Sequence, residues 1–141
     1  MRTLVVTDST AYLPESYAAS LGIEIIPLQV LIGDRSFQEG GEGSEAVLAA
    51  LRSGVMASTS KPTIETFSSM YKSAADSGFD AVVSVHLSKS MSGTYDSALI
   101  AAAAAPIPVH VVDSQSVGMG LGFAAISAAH AAEEGVPDLQ V

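Results

Sequence analysis

Hydroxyl side chains are concentrated in two short segments of this 141-residue chain. Thr59-Ser60-Lys61-Pro62 lies in the middle, and the loop Ser88–Thr94 follows an apolar run. A carboxylate accepts several hydrogen bonds, so hydroxyls that converge from two loops suit an anionic head group. Ser92, Gly93 and Thr94 stand where a helix should begin, and Lys61 adds a positive charge. The alternative is that these hydroxyls only cap helices.

Two further segments pair an acid with a hydroxyl directly after an apolar run. Asp8-Ser9 follows the first run and Asp113-Ser114 follows a later one. The carboxyl ends of parallel strands meet at one edge of a sheet, where ligands bind in a crevice. We therefore expect both pairs to border the same crevice as Ser92. Asp8 and Asp113 together could hold Mg²⁺, whereas acids at strand ends more often accept hydrogen bonds from turn backbone.

A catalytic interpretation of the serine loop remains open from the sequence alone. His86 precedes the loop, so a small hydrolase or phosphotransfer enzyme would use Ser92 as nucleophile and His86 as base. Ser92 stands in Met-Ser-Gly-Thr, however, which is not the Gly-x-Ser-x-Gly turn of hydrolases. The carboxylate site is the better hypothesis, and we predict no catalytic residue.

The glycines of Gly118–Gly122 suggest a nucleotide-binding loop as a third hypothesis. The dinucleotide pattern fails because Phe123 stands where its third glycine belongs. His110 and His130 lack an acid or a second histidine at a metal-ligand spacing, and we interpret both as structural. The sequence therefore predicts neither a metal site nor a cofactor.

The composition excludes several classes of partner. The net charge is -9 and six residues are basic, so no positive surface is expected for nucleic acid or for an anionic membrane. No apolar run is long enough to span a bilayer, which argues against stable membrane insertion. Cysteine is absent, so neither disulfides nor thiolate chemistry is available. We expect a soluble cytoplasmic protein.

Alternating apolar runs predict an α/β fold. Strands are expected at Thr3–Asp8, at Ile23–Ile32 with a hairpin back through Arg35-Ser36-Phe37, at Ala81–Leu87 and at Val109–Val112. Helices are expected after Pro14, over Glu45–Ser53 with Ser44 as N-cap, from Ile64 to Gly78, over Tyr95–Ala105 and over Phe123–Glu134. Met56–Pro62 reads as a polar turn. Strands that alternate with helices predict a mainly parallel sheet with helices on both faces.

Four motifs in this order resemble the DegV family. They are Thr7-Asp8-Ser9-Thr10, Thr59-Ser60-Lys61-Pro62, Ser92-Gly93-Thr94-Tyr95 and Asp113-Ser114 before a glycine-rich helix. The resemblance implies a Rossmann-like N-terminal domain over residues 1–135. Residues 136–141 would begin a linker or helix that leads to a missing C-terminal domain.

The same resemblance implies a fatty-acid-binding protein that holds a long-chain fatty acid by its carboxylate. Carried over by motif, Thr59 and Ser92 are the residues that contact the carboxylate. Some family members present it to a fatty acid kinase related to dihydroxyacetone kinases, which makes an acyl phosphate for phospholipid synthesis. Lys61 departs from the family pattern, in which glutamine is more usual.

Overall fold

The structure is a computed structural model that describes residues 1–40 and 42–137, with Glu42 described for its backbone only. Within these ranges the strands are β1 (Thr3–Asp8), β2 (Ile23–Ile26), β3 (Gln29–Ile32), β4 (Arg35–Gln38), β5 (Ala57–Ser60), β6 (Ala81–His86) and β7 (Val109–Asp113). The helices are α1 (Glu15–Ser20), α2 (Glu42–Arg52), α3 (Ile64–Asp76), α4 (Thr94–Ala102) and α5 (Met119–Glu133), and Ser9–Ala11 forms one 3-10 turn.

The main sheet is parallel and has the strand order β2-β1-β6-β7. Alternate residues of its strands face opposite sides. Val5 and Val83 pack with α1 and α5 on one face, while Val6 and Val82 pack with α3 and α4 on the other. The predicted α/β fold, with a mainly parallel sheet and helices on both faces, is confirmed.

A second, antiparallel sheet has the order β4-β3-β5. The predicted single strand Ile23–Ile32 is wrong, because the chain leaves the main sheet after Ile26 and begins β3 at Gln29. Pro27 stands at the break, where it has no N–H to donate to a ladder. The predicted turn at Met56–Pro62 is also wrong in part, since Ala57–Ser60 forms β5 at the edge of this sheet.

Two helices begin earlier than their predicted first residues. Ser44 is not an N-cap, because α2 already begins at Glu42 and Ser44 lies inside it. The last helix begins at Met119 rather than Phe123, with two glycines in its first turn. The linker or helix start predicted for residues 136–141 lies largely outside the described residues, which end at 137.

Candidate functional site

The main sheet predicts a ligand crevice at its carboxyl edge, at the position between β1 and β6. The chain runs from β1 outward to β2 on one side and continues from β6 to β7 on the other, so the strand order reverses between β1 and β6. Ligands of open α/β sheets bind at this kind of reversal. Asp8 ends β1 and His86 ends β6, and both are fully buried. The ends of β1 and β6 meet through Asp8 and His86, whereas a common crevice with Ser92 and Asp113 stays a prediction.

Asp8 joins the ends of the two central strands. One carboxylate oxygen accepts hydrogen bonds from the backbone N–H of Thr10 at 3.0 Å and from the Thr10 hydroxyl. The other accepts from His86 Nδ1 at 3.0 Å and from the backbone N–H of Leu87 at 3.1 Å. Burial by itself raises the pKa of Asp8, but the hydrogen bonds and charge of His86, with those from Thr10 and Leu87, hold it below its ordinary value. Asp8 is thus an ionised structural acceptor.

His86 is bonded to Asp8 and Ser84, not to Ser92. His86 Nε2 lies 2.7 Å from Ser84 Oγ, which also accepts the Tyr71 hydroxyl at 3.0 Å. Ser84, His86 and Asp8 reproduce the hydrogen-bond order of a hydrolase triad. Ser84 and His86 are both 0% exposed, so no substrate reaches that serine. The pairing of Ser92 with His86 that the enzyme hypothesis needs is wrong.

Ser92 lies just before α4, as the sequence predicts. Its Oγ is 2.9 Å from the Thr94 hydroxyl and accepts the Thr94 backbone N–H at 3.2 Å. Thr94 is fully buried, whereas Ser92 is half-buried. When Thr94 donates its own proton to Ser92, the Ser92 proton remains available for an acceptor outside the protein.

Lys61 brings the two hydroxyl segments into contact. Its side chain lies over Gly93, such that a Cβ at that position would be 3.0 Å from both Lys61 Nζ and Cδ. A side chain at position 93 would therefore have to displace the lysine from the start of α4. No carboxylate among the described side chains pairs with Lys61, while Lys72 and Lys89 each have an aspartate partner. The ammonium group of Lys61 is exposed beside Ser92.

Thr59 lies on the edge strand β5, directly opposite Val30 of β3. It is exposed, and its hydroxyl has no partner among the residues that the structure describes. Ser60, the next residue, donates only a long 3.4 Å bond to the carbonyl oxygen of Lys61. Thr59 thus presents a free donor two residues before the lysine that covers Gly93.

An apolar groove of about 540 Å³ begins beside Thr59. It runs between α2 and the small sheet, and its apolar walls are Val30, Val47, Leu48, Leu51 and Ala57. Leu48 and Leu51 are 55% and 63% exposed, although leucine is normally covered in a globular domain. The groove therefore combines these apolar walls with polar lining residues, namely Thr59, Ser58, Ser44, Tyr12 and Glu39, a combination that the sequence did not predict.

Ser9, directly after β1, already uses its hydroxyl in two hydrogen bonds. Its Oγ accepts the backbone N–H of Leu28 at 2.9 Å and donates to Glu39, which also accepts the Tyr12 hydroxyl at 3.3 Å. Burial, together with the Glu39 carboxylate, raises the pKa of Tyr12. These contacts tie β1 to the small sheet. Glu39 and Tyr12 were missed because nothing in their local sequence marks them.

Asp113 and Ser114 hold the turn after β7. Asp113 Oδ1 accepts the backbone N–H groups of Lys89 at 3.2 Å and Gln115 at 3.0 Å. Ser114 Oγ accepts the Ser116 N–H at 3.2 Å. Within the described residues no three potential ligands are grouped around a metal position, and Asp8 and Asp113 serve separate turns. Both acids thus accept backbone hydrogen bonds.

The glycines of Gly118–Gly122 are explained by packing. A Cβ on Gly120 would lie 2.0 Å from Ser116 Oγ, and one on Gly122 would lie 2.8 Å from the carbonyl oxygen of Ala11. The first turns of α5 therefore press directly against neighbouring chain. This contact accounts for the glycines without a nucleotide.

Comparison with known proteins finds one consistent set of relatives. The model of the DegV family, described as uncharacterised proteins, matches residues 2–140. A DegV domain-containing protein of Streptomyces coelicolor is 48% identical over 132 residues, which cover 93% of this chain and 47% of that protein. The chain thus spans about half the length of the relatives it matches.

Solved structures of DegV family proteins have the same fold as this chain. A DegV family protein from Thermus thermophilus, described by its fatty acid binding, superposes with a TM-score of 0.87 at 36% identity, covering 96% of this chain and 49% of that one. DegV from Bacillus subtilis, a fatty acid binding protein, gives 0.88 at 33% identity with the same coverage. None of the helices in the described ranges is both long and apolar enough to cross a bilayer.

Proposed function

The chain belongs to the DegV family, and on that premise we propose that it binds a long-chain fatty acid. Thr59 and Ser92 donate to the carboxylate in this proposal, and Lys61 supplies a positive charge. The apolar groove beside Thr59 takes part of the acyl chain. The role in this proposal is that of a carrier, and His86 is bonded to Ser84 and Asp8 rather than to Ser92.

The contact between Lys61 and Gly93 is the observation that carries this proposal. Lys61 follows the Thr59-Ser60 pair and lies against Gly93, the residue after Ser92, and it has no carboxylate partner among the described side chains. A protein of net charge -9 repels an anionic ligand unless a local cation offsets that charge. Lys61 meets this need. Each methylene buried beyond the head group contributes about 0.8 kcal/mol, so the tail supplies most of the affinity.

The family relationship supports three further parts of the proposal. Residues 1–135 form the N-terminal α/β domain of a longer protein, and residues 136–141 begin the connection to a second domain. The full-length protein works in the cytoplasm. It presents the carboxylate to a kinase related to dihydroxyacetone kinases, which forms the acyl phosphate.

Native mass spectrometry of freshly purified full-length protein tests the class of ligand. We expect an additional mass equal to one fatty acid, which disappears after delipidation and returns when oleate is added. A full-length protein that carries no such mass and does not bind added oleate would contradict the proposal.

Single substitutions in the full-length protein test the proposed head-group contacts. Thr59→Ala and Ser92→Ala should each weaken oleate binding by about tenfold, as expected when one hydrogen bond to a charged group is lost. Ser68→Ala and Ser90→Ala are the controls, since each removes one hydroxyl from an exposed serine that does not line the groove. Isothermal titration calorimetry measures all four. If Thr59→Ala and Ser92→Ala bind oleate with the same affinity as the two control variants, the proposed contacts are ruled out.

A further inference from the structure

Four buried polar side chains form a continuous hydrogen-bonded chain on the face of the main sheet that packs against α3. The Tyr71 hydroxyl on α3 bonds to Ser84 Oγ on β6 at 3.0 Å, and Ser84 lies 2.7 Å from His86 Nε2. His86 Nδ1 in turn lies 3.0 Å from Asp8 on β1. All four side chains are 0% exposed. The proposed head-group site uses none of them directly.

The direction of each hydrogen bond follows from the groups present. A carboxylate only accepts, so the ring proton of His86 is on Nδ1, which faces Asp8. Tyr71 donates to Ser84, and the remaining Ser84 proton is directed to Nε2 of the ring. The edge of Phe67 on α3 also packs against His86, with ring centroids 5.1 Å apart at 83°. Every donor in this arrangement has an acceptor, and hydrogen bonds need a defined direction, so the four side chains fix the positions of α3, β6 and β1 more specifically than apolar packing does.

The two ends of the chain lead to the two segments that the proposed function needs. Tyr71 is on α3, which begins at Ile64, directly after the Thr59–Pro62 segment. His86 ends β6, which continues into the Ser88–Thr94 loop. The position of α3 against β6 therefore constrains the residues that join β5 to α3, while the pairing of β5 with β3 holds Thr59 from the other side.

We propose that Tyr71, Ser84, His86 and Asp8 are positioning residues that set the spacing between the Thr59 and Ser92 segments. This inference rests on the proposed function, since it concerns the geometry of the same head-group site. The four residues act through the backbone and do not touch the ligand. Substitution of one of the four residues makes the distance between the Thr59 and Ser92 hydroxyls less well defined, while the protein stays folded.

Oleate titration of full-length variants tests this role. Tyr71→Phe removes one hydroxyl and keeps the ring. His86→Leu removes both ring hydrogen bonds, whereas His86→Gln keeps one donor and one acceptor. We expect about tenfold weaker binding for Tyr71→Phe and His86→Leu, and less than about threefold for His86→Gln. Val83→Ala is the control, because Val83 neighbours Ser84 on β6 but faces the opposite core.

A second measurement needs no ligand and separates position from stability. Amide NMR shifts of residues 59–61 and 88–94 should move in Tyr71→Phe and not in Val83→Ala, although both variants lose unfolding free energy. Tyr71→Phe with unchanged shifts and unchanged oleate affinity would overturn the positioning role. If Val83→Ala has the same unfolding free energy as Tyr71→Phe and lowers oleate affinity by the same factor, the effect is general destabilisation and the proposal is also overturned.

The outcomes also distinguish this inference from the proposed function. Normal wild-type binding that weakens in Ser92→Ala but not in Tyr71→Phe would leave the proposed function standing and remove the positioning role. Absence of oleate binding by the wild-type protein would remove both.

Discussion

Replacing Asp8 with asparagine is a sharp test of the contact between the ends of β1 and β6. The side chain is 0% exposed and accepts hydrogen bonds from Thr10, His86 and Leu87. An amide keeps one acceptor oxygen and presents N–H donors in place of the other. In one orientation of the amide its N–H group faces the donors of His86 and Leu87, and in the other orientation it faces the donors of Thr10. A buried donor left without an acceptor costs about 1–3 kcal/mol, and two donors are left in this way, so we expect Asp8→Asn to lose about 2–6 kcal/mol of unfolding free energy.

The loss should depend on pH in one direction. Burial raises the pKa of Asp8, but the hydrogen bonds it accepts outweigh burial and hold the folded value below 3.8. A carboxyl whose pKa is lowered by folding stabilises the fold fully above its unfolded value and loses that contribution as the pH falls through the folded value. The difference between wild type and Asp8→Asn should therefore be constant near neutral pH and narrow below pH 3.8.

Urea unfolding followed by circular dichroism, near pH 7 and near pH 3, measures both quantities. Ser88→Ala is the matched control, because Ser88 is also buried at the end of β6 but accepts only the Ser90 N–H at 3.3 Å. Its loss should stay within about 1.5 kcal/mol, the range of one ordinary hydrogen bond, at either pH. An Asp8→Asn loss that is equal at both pH values would refute the role of the charge.

Three smaller predictions follow from the loops. Gly93→Ala should change the unfolding free energy by no more than about 1 kcal/mol but weaken oleate binding several-fold, because its Cβ displaces Lys61. The same substitution should not change oleate affinity in a Lys61→Ala background, and calorimetry of the double-mutant cycle checks this. Gly122→Ala should cost about 1–3 kcal/mol in urea unfolding, since its Cβ meets the Ala11 carbonyl oxygen. Asp113→Ala should cost about 1–2 kcal/mol by losing two backbone hydrogen bonds, and Mg²⁺ should not shift the Tm of wild type or variant.

The parts of the fold that local pattern controls could be predicted from the sequence. β1, β6 and β7 are apolar runs that end in polar residues, and parallel pairing then brings those ends to one edge. The position of Ser92 before α4 followed from the same pattern. These features depend on neighbours within a few residues.

The parts that depend on distant neighbours could not be predicted. Ala57–Ser60 has no apolar alternation, and it becomes a strand only because β3 offers a ladder beside it. The bond from Asp8 to His86 joins residues 78 positions apart, which no local pattern contains. One signal was available for Ser84. It stands two residues before His86 in a buried strand, so both side chains face the same side.

The departure of the chain from the main sheet after Ile26 has a consequence for variation in this protein. The groove beside Thr59 is built almost entirely from α2, β3 and β5, which share no strand with the parallel sheet. Changes in the size of Val47, Leu48 or Leu51 can alter its width and depth while both cores of the parallel sheet keep their packing. The groove can therefore diversify as a separate unit, without the loss of stability that substitutions in a shared core would bring.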